Sequence, residues 1–80
     1  MNLILFAVGG RVLELGFGLG IAATKVEEYP IDQHDIVECN NQVYTRLESW
    51  AKDIMSRNPN VKVRAVHFLY PIFIGLIISL

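Results

Sequence analysis

The order of apolar segments and glycines in this 80-residue chain predicts an α/β fold in which parallel strands alternate with helices. Three observations support this fold class. A short apolar run ends in a series of alternating glycines, an amphipathic helical pattern follows in the second half, and two β-branched segments flank that pattern. The resulting order, β-α-β-α-β, predicts a parallel sheet with right-handed crossovers.

The sequence predicts two strands and a helix in the first half of the chain. An apolar run at residues 12–15, bounded by glycines on both sides, is typical of a parallel strand that is covered on both faces. The pattern at residues 21–28 favours a helix that starts at the glycine turn and ends before Pro30. A β-branched segment at residues 34–38 predicts the second strand.

The second half predicts a helix and a third strand. Asn40 or Asn41 can cap a helix that ends at Asn58-Pro59-Asn60. The alternation at residues 61–66 then predicts a short strand. The helix should bury the apolar positions Val43, Tyr44, Leu47, Trp50, Ala51 and Ile54, and expose Arg46, Glu48, Lys52 and Asp53.

Bulk composition limits the function classes. With 52% hydrophobic and 19% charged residues, the chain is a folded domain rather than a disordered one. Its size allows one small domain with a modest core. A net charge of −1 gives no electrostatic reason to expect nucleic acid. A single cysteine, Cys39, and the lack of signal-peptide features in residues 1–8 favour a cytoplasmic protein.

The last segment, Phe68 to Leu80, contains no charge, but it is shorter than the roughly 20 residues that span a bilayer. We therefore expect it to pack against the sheet or to add a strand or short helix, and we expect no transmembrane span. An open sheet edge would also allow self-association.

The glycine series carries the clearest chemistry. Gly16, Gly18 and Gly20 follow the first strand, where a tight turn into a helix demands positive φ and close approach of a ligand excludes a Cβ. Such a loop suits a carboxylate or phosphate. Glu14 and the GxGxG spacing favour S-adenosylmethionine, whose ammonium group an acidic residue can accept, over a nicotinamide dinucleotide. Both cofactor classes remain open on these residues.

Glu38 ends the second strand at the position expected for a carboxylate that accepts hydrogen bonds from ribose hydroxyls. The alternative is a solvated charge at a strand end. Phe17 lies between loop glycines, a poor place for core packing, which leaves a cofactor contact or an exposed hydrophobe. Trp50 shares a helix face with apolar residues and is interpreted as core.

Four segments form a distinctive combination: GGRVLELGFG at residues 9–18, Ile21-Ala22-Ala23, Pro30-Ile31-Asp32 and Glu38-Cys39-Asn40. This combination resembles the guanidinoacetate N-methyltransferase family. The likeness covers residues 9–63, and it departs at Leu19-Gly20, where the family commonly carries Met-Ala. It implies a Rossmann-like S-adenosylmethionine methyltransferase fold.

The resemblance also implies a cofactor site. Its binding residues are then Glu14, Gly16, Phe17, Gly18, Leu19, Gly20, Ile21, Ala22, Glu38, Cys39 and Asn40. In the family the substrate is guanidinoacetate, which is methylated to creatine. The family's substrate-binding and catalytic segments are not recognised in this sequence, so we assign no catalytic residue.

We therefore expect residues 1–80 to form a partial, truncated methyltransferase domain, with a cofactor-binding half at 9–66 and an apolar non-family tail at 67–80. Alternatives are a non-catalytic S-adenosylmethionine-binding fragment and a relative of the fungal arginine N-methyltransferases. His34 and His67 have no ligand spacing to each other or to Cys39, so we interpret them as surface or core histidines and predict no metal site.

Overall fold

The computed structural model describes the backbone of residues 4–67, and the side-chain environment from residue 7 onward. The fold is α/β, with four strands in the order β1-β2-β3-β4 and two helices. β2, β3 and β4 are parallel neighbours, as the sequence predicts. The elements are β1 (Ile4–Val8), β2 (Arg11–Leu15), α1 (Ile21–Val26), β3 (Gln33–Glu38), α2 (Asn41–Arg57) and β4 (Lys62–His67).

Strand β1 is absent from the predicted β-α-β-α-β order. It pairs antiparallel with β2, and the two strands are joined by a turn at Gly9-Gly10. The two glycines have φ values of 55° and 85°. Positive φ at both central residues is the requirement of the tight hairpin turn that matches strand twist. A Gly-Gly pair between two β-prone runs is the signal that would have predicted this hairpin.

The core lies between the sheet and the two helices. Ile36 of β3, Ala23 of α1 and Leu47 of α2 are fully buried in one cluster. A second cluster joins Ala51 of α2 to β4 and the residue before it. Trp50 packs against both clusters, which confirms its interpretation as a core residue.

The helical pattern of α2 is confirmed. Leu47 and Ala51 are buried, the other predicted inward positions are half-buried, and the four predicted outward residues are exposed. Asn40 is the N-cap, and its side chain accepts a hydrogen bond from the amide of Val43 at 2.9 Å. The helix ends at Arg57, with Asn58 as its C-cap.

Helix α1 is shorter than predicted. It ends at Val26 and has only six residues, whereas the sequence pattern continues to Glu28. Beyond it, the amide of Tyr29 still donates to the carbonyl of Val26, and Ile31 then donates to Tyr29. The chain thus turns out of helical geometry just before Pro30, which disfavours the α region for the preceding residue.

The predictions for Phe68 to Leu80 lie outside the described residues. Within residues 4–67, neither helix has the length and apolar character needed to cross a membrane. The domain boundaries at residues 9–66 and 67–80 remain predictions.

Candidate functional site

The glycine loop, residues 16–20, connects β2 to α1 at the carboxyl end of the parallel strands. Gly16, Gly18 and Gly20 have φ values of 90°, 58° and 83°. The amide of Gly16 donates to the carbonyl of Val37 at 2.7 Å, so the loop starts in register with β3. The alternation of glycines thus follows from three positive φ values in a five-residue turn.

Gly20 has a second reason to be glycine. A Cβ built on it would lie 2.8 Å from Cζ of Phe17. Its amide donates to the carbonyl of Phe17, and its carbonyl accepts from both the amide and the hydroxyl of Thr24. The backbone here is therefore fixed on both sides, and the aromatic ring occupies the space where a side chain would project.

The expectation that the position of Phe17 is poor for core packing is wrong. The ring is only 4% exposed and belongs to the main core cluster. Its centroid lies 5.3 Å from that of Trp50. The positive φ values on either side turn the chain so that this ring points inward, beneath Gly20. Only the backbone of Phe17 is therefore part of the loop surface, and its ring packs into the core underneath the loop.

Glu38 ties the loop to the end of β3. Its Oε1 accepts from the amide of Phe17 at 2.8 Å, and its Oε2 accepts from the amide of Asn40 at 3.0 Å. The residue is 8% exposed. Each carboxylate oxygen has a second lone pair, so the group can still accept from a ligand hydroxyl. The structure thus brings Glu38 next to the glycine loop.

Glu14 lies in β2, two residues before the glycine loop begins. It is completely buried, and its Oε1 lies 2.9 Å from Nε2 of His34. The other imidazole nitrogen, Nδ1, lies 2.7 Å from Oε2 of Glu27. His34 is therefore a core histidine, one of the two interpretations given above, and the sequence reasoning missed its two glutamate partners. The signal was the alternation of β2 and β3, which places Glu14 and His34 on the same sheet face once the register is known.

The environment of His34 changes its acid–base behaviour. Burial lowers the pKa of the imidazole, but hydrogen bonds to Glu14 and Glu27 and their negative charges outweigh burial. The net effect raises the pKa of His34 above its ordinary value of 6.5.

The remaining predicted residues differ in exposure. Leu19 and Ile21 are 80% and 71% exposed, and Ala22 is half-buried. Cys39 and Asn40 are exposed beside Glu38, and the Asn40 side chain caps α2. The exposed residues lie on the loop, at the start of α1 and just after β3, where a ligand would have access.

Two further side chains reach this edge. Arg46 of α2 donates from Nη2 to the carbonyl of Gly18 at 3.4 Å. The His67 ring lies 4.7 Å from Tyr44, and its Nε2 is 3.3 Å from the carbonyl of Cys39. Sequence reasoning placed Arg46 only on the outer face of α2, because the return of that helix to the loop depends on tertiary structure.

A second ionic group lies on the other face of the sheet. Arg64 binds the carboxylate of Asp35 through two hydrogen bonds, of 2.7 and 2.9 Å, and Gln33 donates a third. Burial raises the pKa of Asp35, but these hydrogen bonds and the charges of Arg64 and Arg11 lower it below its ordinary value overall. Among residues 4–67, no group of three or more His, Cys, Asp or Glu side chains could hold a metal ion.

A glycine loop after the first parallel strand, with an acidic residue at the end of the next strand, defines a Rossmann-like α/β protein. The model of the family described as guanidinoacetate N-methyltransferase matches residues 2–65. Since this match covers most of the 80 residues, the chain belongs to the guanidinoacetate N-methyltransferase family. The match confirms the resemblance and extends it to β1.

Proposed function

We propose that this chain binds S-adenosylmethionine and forms the cofactor half of an N-methyltransferase that converts guanidinoacetate to creatine. The single observation that carries the proposal is the hydrogen bond from the Phe17 amide to Glu38. It joins the glycine loop and the strand-end carboxylate into one unit at the carboxyl edge of the sheet. The family match supports methyl transfer as the reaction class.

The polar groups of this unit suit the proposed cofactor. Glu38 keeps lone pairs for the ribose hydroxyls, and Cys39 and Asn40 lie beside it for the ribose and adenine. Oε2 of Glu14 is buried and has no hydrogen-bond partner among the described residues. An ammonium group is the donor that would satisfy it. A nicotinamide dinucleotide has no such group next to its pyrophosphate, so Glu14 favours S-adenosylmethionine.

When bound, S-adenosylmethionine supplies the electrophilic methyl group. Residues 16–22, which are the glycine loop and the first two residues of α1, hold its methionine part. The absence of side chains at Gly16, Gly18 and Gly20 lets the backbone approach it closely. Glu38 fixes the ribose. These roles bind and orient the cofactor, and proton transfer is assigned to none of them.

The methyl acceptor needs separate groups. A guanidinium must be held by carboxylates and aimed in line at the methyl group, because orientation of the two reactants lowers the barrier. Of the three buried carboxylates in residues 7–67, Asp35 is engaged by Arg64 on the other sheet face, Glu38 binds the loop, and Glu14 contacts His34. We infer that the acceptor site is built by other parts of a methyltransferase domain, so this 80-residue chain alone binds cofactor without methyl transfer.

We further propose a cytoplasmic location, in keeping with the free, exposed Cys39. Self-association would use β1 or β4, the edge strands of the described sheet. Light scattering on the purified chain tests this part of the proposal.

Isothermal titration calorimetry of the 80-residue chain tests cofactor choice. We expect binding of S-adenosylmethionine and none of NAD. Cys39→Ala is the control variant at the site. It should leave the affinity for S-adenosylmethionine within about twofold, because a small neutral side chain makes few directional contacts. Preferential binding of NAD, or no binding of either cofactor, would contradict the proposal.

A further inference from the structure

A buried cluster of three titratable side chains connects the strands and the helix next to the glycine loop. His34 of β3 stands between Glu14 of β2 and Glu27 at the end of α1, with contacts of 2.9 and 2.7 Å. The side chains of His34 and Glu14 are fully buried, and that of Glu27 is 8% exposed. The cluster thus connects β2 and β3 to the end of α1.

The contacts require an additional proton. A neutral imidazole has one N–H and one lone pair, so it can donate to only one of two carboxylates. Two short contacts to carboxylate oxygens therefore require an imidazolium or a protonated carboxyl group. An imidazolium between two carboxylates leaves one net negative charge in the cluster.

The surroundings of His34 favour the imidazolium. The charges that act on its pKa are those of Glu14 and Glu27, which raise it against the effect of burial. From α2 it meets the neutral Trp50, whose ring stands edge-on at 6.0 Å. Its register partner in β4 is Val63, which carries no charge.

One carboxylate oxygen of the cluster receives no hydrogen bond. Oε2 of Glu14 has no hydrogen-bond partner among the described residues, although Glu14 is completely buried. A buried carboxylate oxygen without a donor is costly. Since Glu14 lies two residues before Gly16, a cationic group bound at the loop is the donor that its position suggests.

We propose that His34 and Glu27 are positioning residues, which share a proton and fix the Glu14 carboxylate so that its second oxygen receives the ammonium group of a ligand in the glycine loop. This inference rests on the proposed function. The cluster then makes binding depend on its own protonation. Loss of the shared proton adds a second buried negative charge and leaves His34 able to donate to only one of the two glutamates, which weakens the positioning of Glu14.

The first test is independent of binding. ¹⁵N NMR of the histidine-labelled chain follows both histidines, with the exposed His67 as an internal comparison. We expect the His34 nitrogens to keep imidazolium shifts as the pH rises above 6.5, the ordinary value. Glu27→Gln should move this titration to lower pH. A neutral His34 tautomer below pH 6.5 in the wild-type chain would overturn the shared proton.

The second test compares adjacent glutamates. Glu27→Gln keeps the shape of the side chain but removes its charge, and Glu28→Gln makes the same change at an exposed position. By calorimetry, we expect Glu27→Gln to weaken S-adenosylmethionine binding about tenfold, the effect of one charged hydrogen bond. Glu28→Gln should bind like the wild type. In the wild type, affinity should fall as His34 loses its proton.

A cofactor analogue without the amino group separates positioning from general structure. Glu27→Gln should leave the affinity for this analogue unchanged, because the analogue has no ammonium group for Glu14. Equal losses for both ligands, or no loss for either, would overturn the inference while the proposed function stands. Failure of the wild-type chain to bind S-adenosylmethionine at any pH would overturn the proposed function, and with it the ligand role of Glu14.

Discussion

Replacement of Glu38 by alanine tests how strongly this carboxylate holds the glycine loop. The substitution removes the acceptor of two amides, those of Phe17 and Asn40. Hydrogen bonds to charged groups contribute about 1.5–3 kcal/mol each, but the Asn40 amide is closer to water and can be hydrated. We therefore expect the free energy of unfolding to fall by about 2–4 kcal/mol, mostly from the buried Phe17 amide. For a chain of this size that is a large part of a total of roughly 4–12 kcal/mol.

Urea denaturation measures this loss through the fluorescence of Trp50, the single tryptophan, which contacts the Phe17 ring. Glu38→Gln keeps one acceptor oxygen and should lose about half as much. Glu28→Ala is the control, because its ion pair with Lys25, at 3.8 Å, is exposed and contributes little. If Glu38→Ala were as stable as Glu28→Ala, the loop would not be anchored by Glu38.

Three further predictions concern the backbone and the two ionic groups. In urea denaturation, Gly20→Ala should lower the free energy of unfolding more than Gly9→Ala does. Both glycines have positive φ, where a side chain costs about 1–2 kcal/mol. Only at Gly20 would the added Cβ also lie 2.8 Å from the Phe17 ring. Equal losses would contradict the steric reason. The pKa of Asp35 is lowered in the folded state, so ionised Asp35 stabilises the fold above pH 3.8, and this stabilisation is lost as pH falls through the folded-state pKa. Acid denaturation of Asp35→Asn should lack this pH-dependent loss of stability. The pKa of His34 is raised in the folded state, so protonated His34 stabilises the fold fully below pH 6.5, and this stabilisation is lost as pH rises through the folded-state pKa. Thermal melts of His34→Gln at different pH values should lack this loss of stability.

The elements that sequence predicts well are those fixed by local periodicity. The apolar spacing of α2, the cap at Asn40 and the glycines between β2 and α1 each have a local physical cause. Glu38 could be placed near the loop, because the carboxyl ends of adjacent parallel strands meet at one edge of a sheet. These features required no knowledge of tertiary contacts beyond strand order.

The features that sequence reasoning missed depend on contacts between distant residues. Phe17 is buried because the loop turns its ring toward Trp50 and Leu47, which lie far along the chain on α2. Glu14 and His34 meet only because the β2–β3 register places both on the same face. A strand pattern gives alternation, but the register between strands is decided by the whole sheet.

The most direct test of the account is an NMR titration of the ¹⁵N-labelled 80-residue chain with S-adenosylmethionine. The account predicts that amide shifts concentrate at residues 16–22 and 38–40, on the carboxyl edge of the sheet. The Gly9-Gly10 turn at the opposite end should remain unchanged. Shifts that centre on that turn, or no shifts at saturating ligand, would contradict the assignment of this chain as the cofactor-binding half of a methyltransferase.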